Sequence, residues 1–346
     1  MPLRRIAPLG VSVCSICALD AAKILHGFVI QRAMSCKQSL LQVALLVLVT
    51  IASAAAHAAH GLDLTRQYLA AYDRNCPLRS TDARVLRRHK VLFVPGYLAG
   101  RNPVYFAEQM DWLRSLDVES KKVAIRAGRS IAINGSIIAA AIRNSRKPVI
   151  LITHSKGSVD ALEALRTEPV LQAKVRAWVS LQGVFFGSPV ADILLDGTLV
   201  DPVISSTILG FLGGTRKSAE DLTTRTALAY YRKHPAGISL VVRRVPAIAF
   251  ASTLDGAHSP GTTTLLEIPY ELMRSKGMPN DGLVPLDSAV LPGMDFVKVS
   301  GVDHIAPVMP ALQRFDRVAM TKALLSLVLR APNGAPLRNW PCSNRH

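Results

Sequence analysis

Aromatic residues are scarce in this sequence: Phe, Trp and Tyr make up 5% of its 346 positions. With so few rings, Ala, Val and Leu must fill most of the interior, and 49% hydrophobic residues are enough to bury a substantial core. Acidic residues are also short, 24 against 41 Lys and Arg, which leaves a formal net charge of +17. The basic residues are scattered, and no stretch interleaves them with aromatics. A nucleic-acid groove needs both the charge and the stacking platforms, so nucleic acid is excluded as a partner. The charge fits an anionic membrane or lipid interface, or a proteome that is basic throughout. No repeat period is visible, and residues 60–346 hold no linker-like stretch.

Cysteine is rare too, with five in all. Cys14, Cys17 and Cys36 lie at or ahead of an apolar run, Leu40 to Ala56, which is followed by His57-Ala58. Lys37 ahead of the run and the small residues Ala56 and Ala58 behind it make the pattern of a secretory signal peptide. Counted from Met34, the segment ahead of the run has ordinary length; counted from Met1, it is too long. The expectation is an over-extended, untranslated 1–33, a signal peptide over 34–58, and one mature domain over 59–346, secreted or periplasmic. Left uncleaved, the run would anchor the chain, since it falls only slightly short of a membrane span. Cys14 and Cys17 have zinc or redox spacing but stand in the part read as untranslated. Cys76 and Cys342 remain, near the two ends of an exported domain, and are expected to form a disulfide.

Past the signal, Leu64 to Ala71 reads as a helix and Lys90 to Val94 as a strand ending in Pro95-Gly96-Tyr97. Tyr105 to Leu116 reads as a helix, Val123 to Ile125 as a strand, and Asn134 to Arg143 as a helix with Ile137, Ile138, Ala141 and Ile142 on one face. Val149 to Ile152 is a buried strand, and Val159 to Leu165 is helix-compatible. Val175 to Gln182 is a further strand and Leu222 to Tyr231 a helix. Strands over Val245 to Ala251 and Phe296 to Val299, then a helix over Arg317 to Leu329, complete the pattern. Strand and helix alternating at these lengths give an α/β protein, a mostly parallel sheet of about six to eight strands with helices on both faces.

The most telling stretch is Val149-Ile150-Leu151-Ile152-Thr153-His154-Ser155-Lys156-Gly157-Ser158. Strand, one sharp turn carrying a Ser, then helix is the setting of a nucleophile elbow. The helix N-terminus behind such a turn offers N–H groups and positive dipole to a developing oxyanion. The competing reading is a helix cap, with Ser155 or Ser158 satisfying free N–H groups.

The stretch resembles the Gly-x-Ser-x-Gly motif of the α/β-hydrolase family, in particular its bacterial lipases and esterases, with Gly157 in place and Thr153 where the first Gly stands. Two later segments resemble the same family in the same order: Asn280-Asp281-Gly282-Leu283-Val284-Pro285 is similar to its acid loop, and Gly301-Val302-Asp303-His304 to its base loop. The resemblance implies an α/β-hydrolase fold with a triad of Ser155, Asp281 and His304. The oxyanion donors it implies are the backbone N–H groups of Lys156 and Tyr97. Asp255, Asp287 and Asp303 are rival acids, Asp303 the weakest because it adjoins His304 in sequence. His154, beside the elbow, is expected to pack or bond locally.

Gly183 to Asp192, with its Gly187-Ser188-Pro189, is similar to the family segment after the next strand. The apolar, Gly-rich insert over about 193–233 stands where such lipases carry a lid or cap; a static helical insertion is the other reading. Some of these lipases hold calcium with an Asp two residues after the His, but Ala306 stands there, with Asp255 the one candidate for a second ligand. No metal and no cofactor are expected. The function implied is an exported carboxylic-ester hydrolase acting on lipid or another ester. An acyltransferase or polyester depolymerase would use the same triad, and a non-catalytic binding module of this fold would lack one member of it. Oligomeric state is not readable from the sequence.

Overall fold

A computed structural model describes residues 61–97, 102–196, 214–254, 264–310 and 314–329. All of these belong to one unit, Ala59–His346. The expected signal segment, the stretch 197–213 inside the expected insert, Asp255 and Cys342 lie outside the described residues.

Six strands form one sheet: β1 (Lys90–Val94), β2 (Ser120–Lys122), β3 (Val149–His154), β4 (Val175–Leu181), β5 (Ala247–Thr253) and β6 (Asp295–Ser300). Their spatial order is β2-β1-β3-β4-β5-β6, and every neighbouring pair is parallel. Parallel strands need crossovers, and helices supply them on both faces. Residue alternation shows this directly. Val91 and Phe93 of β1 and Ile150 and Ile152 of β3 join one apolar cluster, while Leu92, Val94, Val149 and Leu151 join the other. The first cluster is covered by α1 (Thr65–Asp73, through Tyr68), α3 (Ala107–Ser115, through Leu113) and α11 (Arg317–Val328, through Met320 and Leu324). Ile138 and Ile142 of α4 (Ile131–Arg143) and Leu162 and Leu165 of α5 (Lys156–Thr167) close the second. With both faces covered, the strands read as continuous apolar runs, which is why β3 stands out in the sequence.

Four elements depart from the sequence reading. The second strand lies at Ser120–Lys122, just ahead of Val123–Ile125; Val123 keeps one bond to the sheet, its N–H to the Phe93 carbonyl at 2.8 Å. Val123 and Ile125 are buried in the second apolar cluster beyond the strand's end, which is what their hydrophobicity recorded. A helix the sequence reading did not place, α9 (Pro235–Arg244), runs up to the strand expected from Val245, which starts at Ala247 as β5. Val241 is buried in that helix, so packing overrides β-branched propensity there. Two further helices, α2 (Ser80–Arg88) and α10 (Thr264–Arg274), fall in stretches read as irregular. Within the expected insert, the described residues form the end of α6 (Pro189–Asp196), α7 (Arg216–Glu220) and α8 (Thr224–Lys233).

The strand order places the site. From β1 the chain moves outward to β2 and then back across to β3, so connections leave β1 and β3 in opposite directions. At such a switch point the carboxyl ends of the strands open a crevice. Pro95-Gly96-Tyr97 follows β1, and Ser155 follows β3.

Candidate active site

Ser155 sits between β3 and α5 with φ 53° and ψ −130°. For a residue with a Cβ this is strained backbone, of the kind held only when the surroundings over-determine it. The surroundings do so here. The Ser155 N–H is bonded to the Leu181 carbonyl at 3.0 Å, and the Ser155 carbonyl accepts from Ser158 N–H at 2.9 Å. The turn after β1 presses on the elbow. A Cβ on Gly96 would lie 2.8 Å from Ser155 Cβ, and one on Gly157 would lie 2.5 Å from the carbonyl oxygens of both Val94 and Pro95. Glycine at 96 and 157 is what lets the two turns touch.

The capping alternative fails on geometry. Ser155 makes no side-chain cap bond to α5. Ser158 Oγ is spent on Thr153 Oγ1 at 2.8 Å and Ser180 Oγ at 2.9 Å. Thr153 also accepts from Trp178 Nε1 at 2.9 Å, so the residue replacing the usual first glycine is a buried hydrogen-bonding post. Among the described residues, Ser155 Oγ makes no hydrogen bond, and 9% of the residue is exposed.

Asp281 and His304 are brought together. His304 Nδ1 lies 2.8 Å from Asp281 Oδ2, and the His304 N–H donates to the Asp281 carbonyl at 2.9 Å. The carboxylate is held from its other side, Oδ1 accepting from Leu283 N–H at 3.0 Å and Val284 N–H at 2.7 Å. Its loop turns at Gly282 (φ 98°), with Asn280 Oδ1 accepting the Gly282 N–H. Ser188, of the Gly-Ser-Pro segment, braces the same loop by donating to the Leu283 carbonyl at 2.5 Å. With Oδ2 facing Nδ1, the imidazole must carry its hydrogen on Nδ1 and present Nε2 as the acceptor.

Of the rival acids, Asp303 Oδ1 accepts the Ile305 and Ala306 N–H groups at 2.8 and 2.6 Å, which makes it a turn-forming residue. Asp287 reaches out to Lys298 with its carboxylate almost fully exposed. Neither faces His304 Nδ1, whose partner is Asp281.

The elbow and the base loop meet through His154. Its Nε2 lies 2.9 Å from the His304 carbonyl, and the two rings are 4.7 Å apart between centroids. Ser155 is the next residue in the chain, and no hydrogen bond joins its Oγ to His304 among the described residues. The N–H groups of Tyr97 and Lys156 have no acceptor among the described residues. Tyr97 is anchored through its side chain, Oη to Ser218 Oγ at 2.9 Å, which ties the turn after β1 to α7. Burial pushes the Tyr97 phenol well above its ordinary range.

Lys156 has a fully buried ammonium, 2.7 Å from Asp160 Oδ1; Asp160 Oδ2 accepts from Asn134 Nδ2 at 2.8 Å. Burial raises the Asp160 carboxyl to about 6 against the pull of Lys156 and Asn134. The pair pins the first turn of α5, whose leading N–H is that of Lys156. Sequence reasoning named only the Lys156 backbone; an i, i+4 Lys–Asp spacing was the available signal.

Among the described residues no group of three or more His, Cys, Asp or Glu side chains could hold a metal ion, and no helix is long and apolar enough to cross a membrane. Cys76 is buried, and its expected partner Cys342 lies outside the described residues.

No family model matches the sequence. No curated protein matches it either. Solved structures do. A metagenomic carboxyl esterase superposes with a TM-score of 0.57 at 24% identity, over 70% of this chain and 76% of that one. The mature form of a Bacillus licheniformis lipase superposes with a TM-score of 0.52 at 20% identity, over 63% of this chain and 85% of that one. The parallel sheet, the crossover order and these likenesses give the fold.

Proposed function

We propose, on the premise that this chain has the α/β-hydrolase fold, that it is an exported serine carboxylic-ester hydrolase working through an acyl-enzyme. The observations that carry the reading are the Asp281–His304 contact of 2.8 Å and a Ser155 held at φ 53° directly after His154, which bonds to the His304 carbonyl. A strained, unbonded serine and an imidazole oriented by a carboxylate are what a nucleophile and its base require. Apo sites often hold this last hydrogen bond open until substrate binds.

In this mechanism, Ser155 Oγ attacks the ester carbonyl while His304 Nε2 takes its proton. Asp281 keeps the ring in the Nδ1–H tautomer and offsets the charge it gains. The N–H groups of Lys156 and Tyr97 receive the oxyanion, and one such donor is worth about 10²- to 10³-fold in turnover. His304 then protonates the leaving alcohol. Water repeats the sequence and frees the acid.

The substrate class is a carboxylic ester of lipid or polyester type. The net charge of +17 and the apolar insert favour an ester at an anionic lipid interface, and the two similar structures are described as a carboxyl esterase and a lipase. The insert over about 193–233 acts as the lid in this reading. Export by the segment 34–58 and a Cys76–Cys342 disulfide belong to the same proposal; N-terminal sequencing of the mature protein and thiol titration with and without reductant test them. Ser155→Ala tests the function: hydrolysis of a p-nitrophenyl ester should vanish, and unchanged hydrolysis removes the reading.

A further inference from the structure

The mechanism leaves one buried polar chain unused. Tyr105, His154 and Gln182 are 1%, 3% and 0% exposed and lie directly beneath the candidate site. Gly96 N–H donates to Tyr105 Oη at 3.0 Å, and Tyr105 Oη lies 2.6 Å from His154 Nδ1. His154 Nε2 lies 2.9 Å from the His304 carbonyl and 3.3 Å from Gln182 Oε1. Gln182 Nε2 in turn donates to the Asp303 carbonyl at 2.9 Å.

The hydrogens in this chain can be placed. A carbonyl oxygen only accepts, so His154 Nε2 must carry a hydrogen and donate to His304. Gln182 Nε2 faces the Asp303 carbonyl, which turns the amide oxygen toward His154 and asks for the same hydrogen. Tyr105 already accepts from Gly96, and its single O–H finds its acceptor at His154 Nδ1. Every donor and acceptor is satisfied when the ring is neutral. A proton on Nδ1 would leave the Tyr105 O–H aimed at a donor.

We propose that His154 is a positioning residue for the hydrolysis argued above, fixed as a neutral Nε2–H ring that sets the His304 loop and, through Tyr105, the Gly96–Tyr97 turn in one frame. One end of the chain holds the backbone of the base. The other holds the peptide next to the Tyr97 N–H, so base and oxyanion donor are kept at a constant separation. Neutrality matters as well, because His304 gains a positive charge during the reaction and its ring is 4.7 Å away. Burial, with His304 beside it, holds His154 well below the ordinary histidine range. The groups facing it are Tyr105, Gln182 and His304, the last with Asp281 behind it.

Two measurements on the full-length mature protein test this. Histidine-ring ¹⁵N NMR should show His154 as a single neutral Nε2–H tautomer across about pH 5 to 8, and Tyr105→Phe should release a population with the hydrogen on Nδ1. In ester hydrolysis, His154→Leu should lower kcat by about 10²-fold, the scale of a small misplacement of reacting groups, with KM nearly unchanged. His154→Gln, whose amide can donate to the His304 carbonyl, should recover most of the loss, which a role in packing alone would not predict. A charged or Nδ1–H His154 ring in the parent overturns the proposal. So does a folded His154→Leu variant with parental kcat, or a His154→Gln variant no better than His154→Leu. If the parent shows no Ser155-dependent hydrolysis, the hydrolase reading fails by itself, and the NMR result still decides the state of the ring.

Discussion

Replacing Asp281 by Asn keeps the shape of the buried side chain and changes which atom faces His304. Asp281 Oδ1 accepts two backbone N–H groups, at 3.0 and 2.7 Å, so an amide must keep its oxygen there. Its NH2 then takes the place of Oδ2, 2.8 Å from His304 Nδ1. Two donors cannot share one bond, and the ring responds by moving its hydrogen from Nδ1 to Nε2. Nε2 is the atom that has to accept the Ser155 proton, so the base is lost although every atom keeps its position. A tautomer switch of this kind costs about 10⁴-fold in kcat, or about 5.5 kcal/mol at 1.36 kcal/mol per decade. Initial rates on a p-nitrophenyl ester, with circular dichroism to verify folding, measure it. KM should stay close to the parent's, because the group acts in the transition state. A folded Asp281→Asn enzyme within about tenfold of the parent would refute the reasoning and hand the orienting role to another carboxylate.

Gly157→Ala should damage catalysis more than stability: its new Cβ would sit 2.5 Å from two backbone oxygens, so the turn carrying the Tyr97 N–H must retreat. A kcat loss of about 10²-fold is expected, read in the same assay, and a parental rate would contradict the close approach. Asp160→Asn strands the buried Lys156 ammonium and should destabilise the fold by about 3–5 kcal/mol. A urea midpoint shifted down at constant slope checks it, and the double change Lys156→Met with Asp160→Leu should restore much of the loss.

Much of this was legible in the sequence wherever a local pattern recorded a non-local fact. Val149 to Ile152 reads as strand because β3 is buried on both faces, and Gly157 behind Ser155 records the carbonyls packed against it. Asp281 and His304 were legible through the loops that carry them, since Asn280 and Gly282 are needed to turn the acid loop. Thr153 in place of glycine was not explicable from sequence: its reason is Trp178, 25 residues away. Tyr105 looked like one more apolar residue opening a helix, and its bond to His154 spans 49 positions, which no periodicity reports. The helix at Pro235–Arg244 was hidden by valines whose burial decides their conformation, and α10 by the internal Pro269.

Mass spectrometry after treatment with a p-nitrophenyl phosphonate probes the central claim most directly, because it asks which atom attacks. The account predicts one stoichiometric adduct on the peptide containing Ser155, absent from Ser155→Ala. An adduct on a different residue, or ester hydrolysis that persists with Ser155 unmodified, would contradict it.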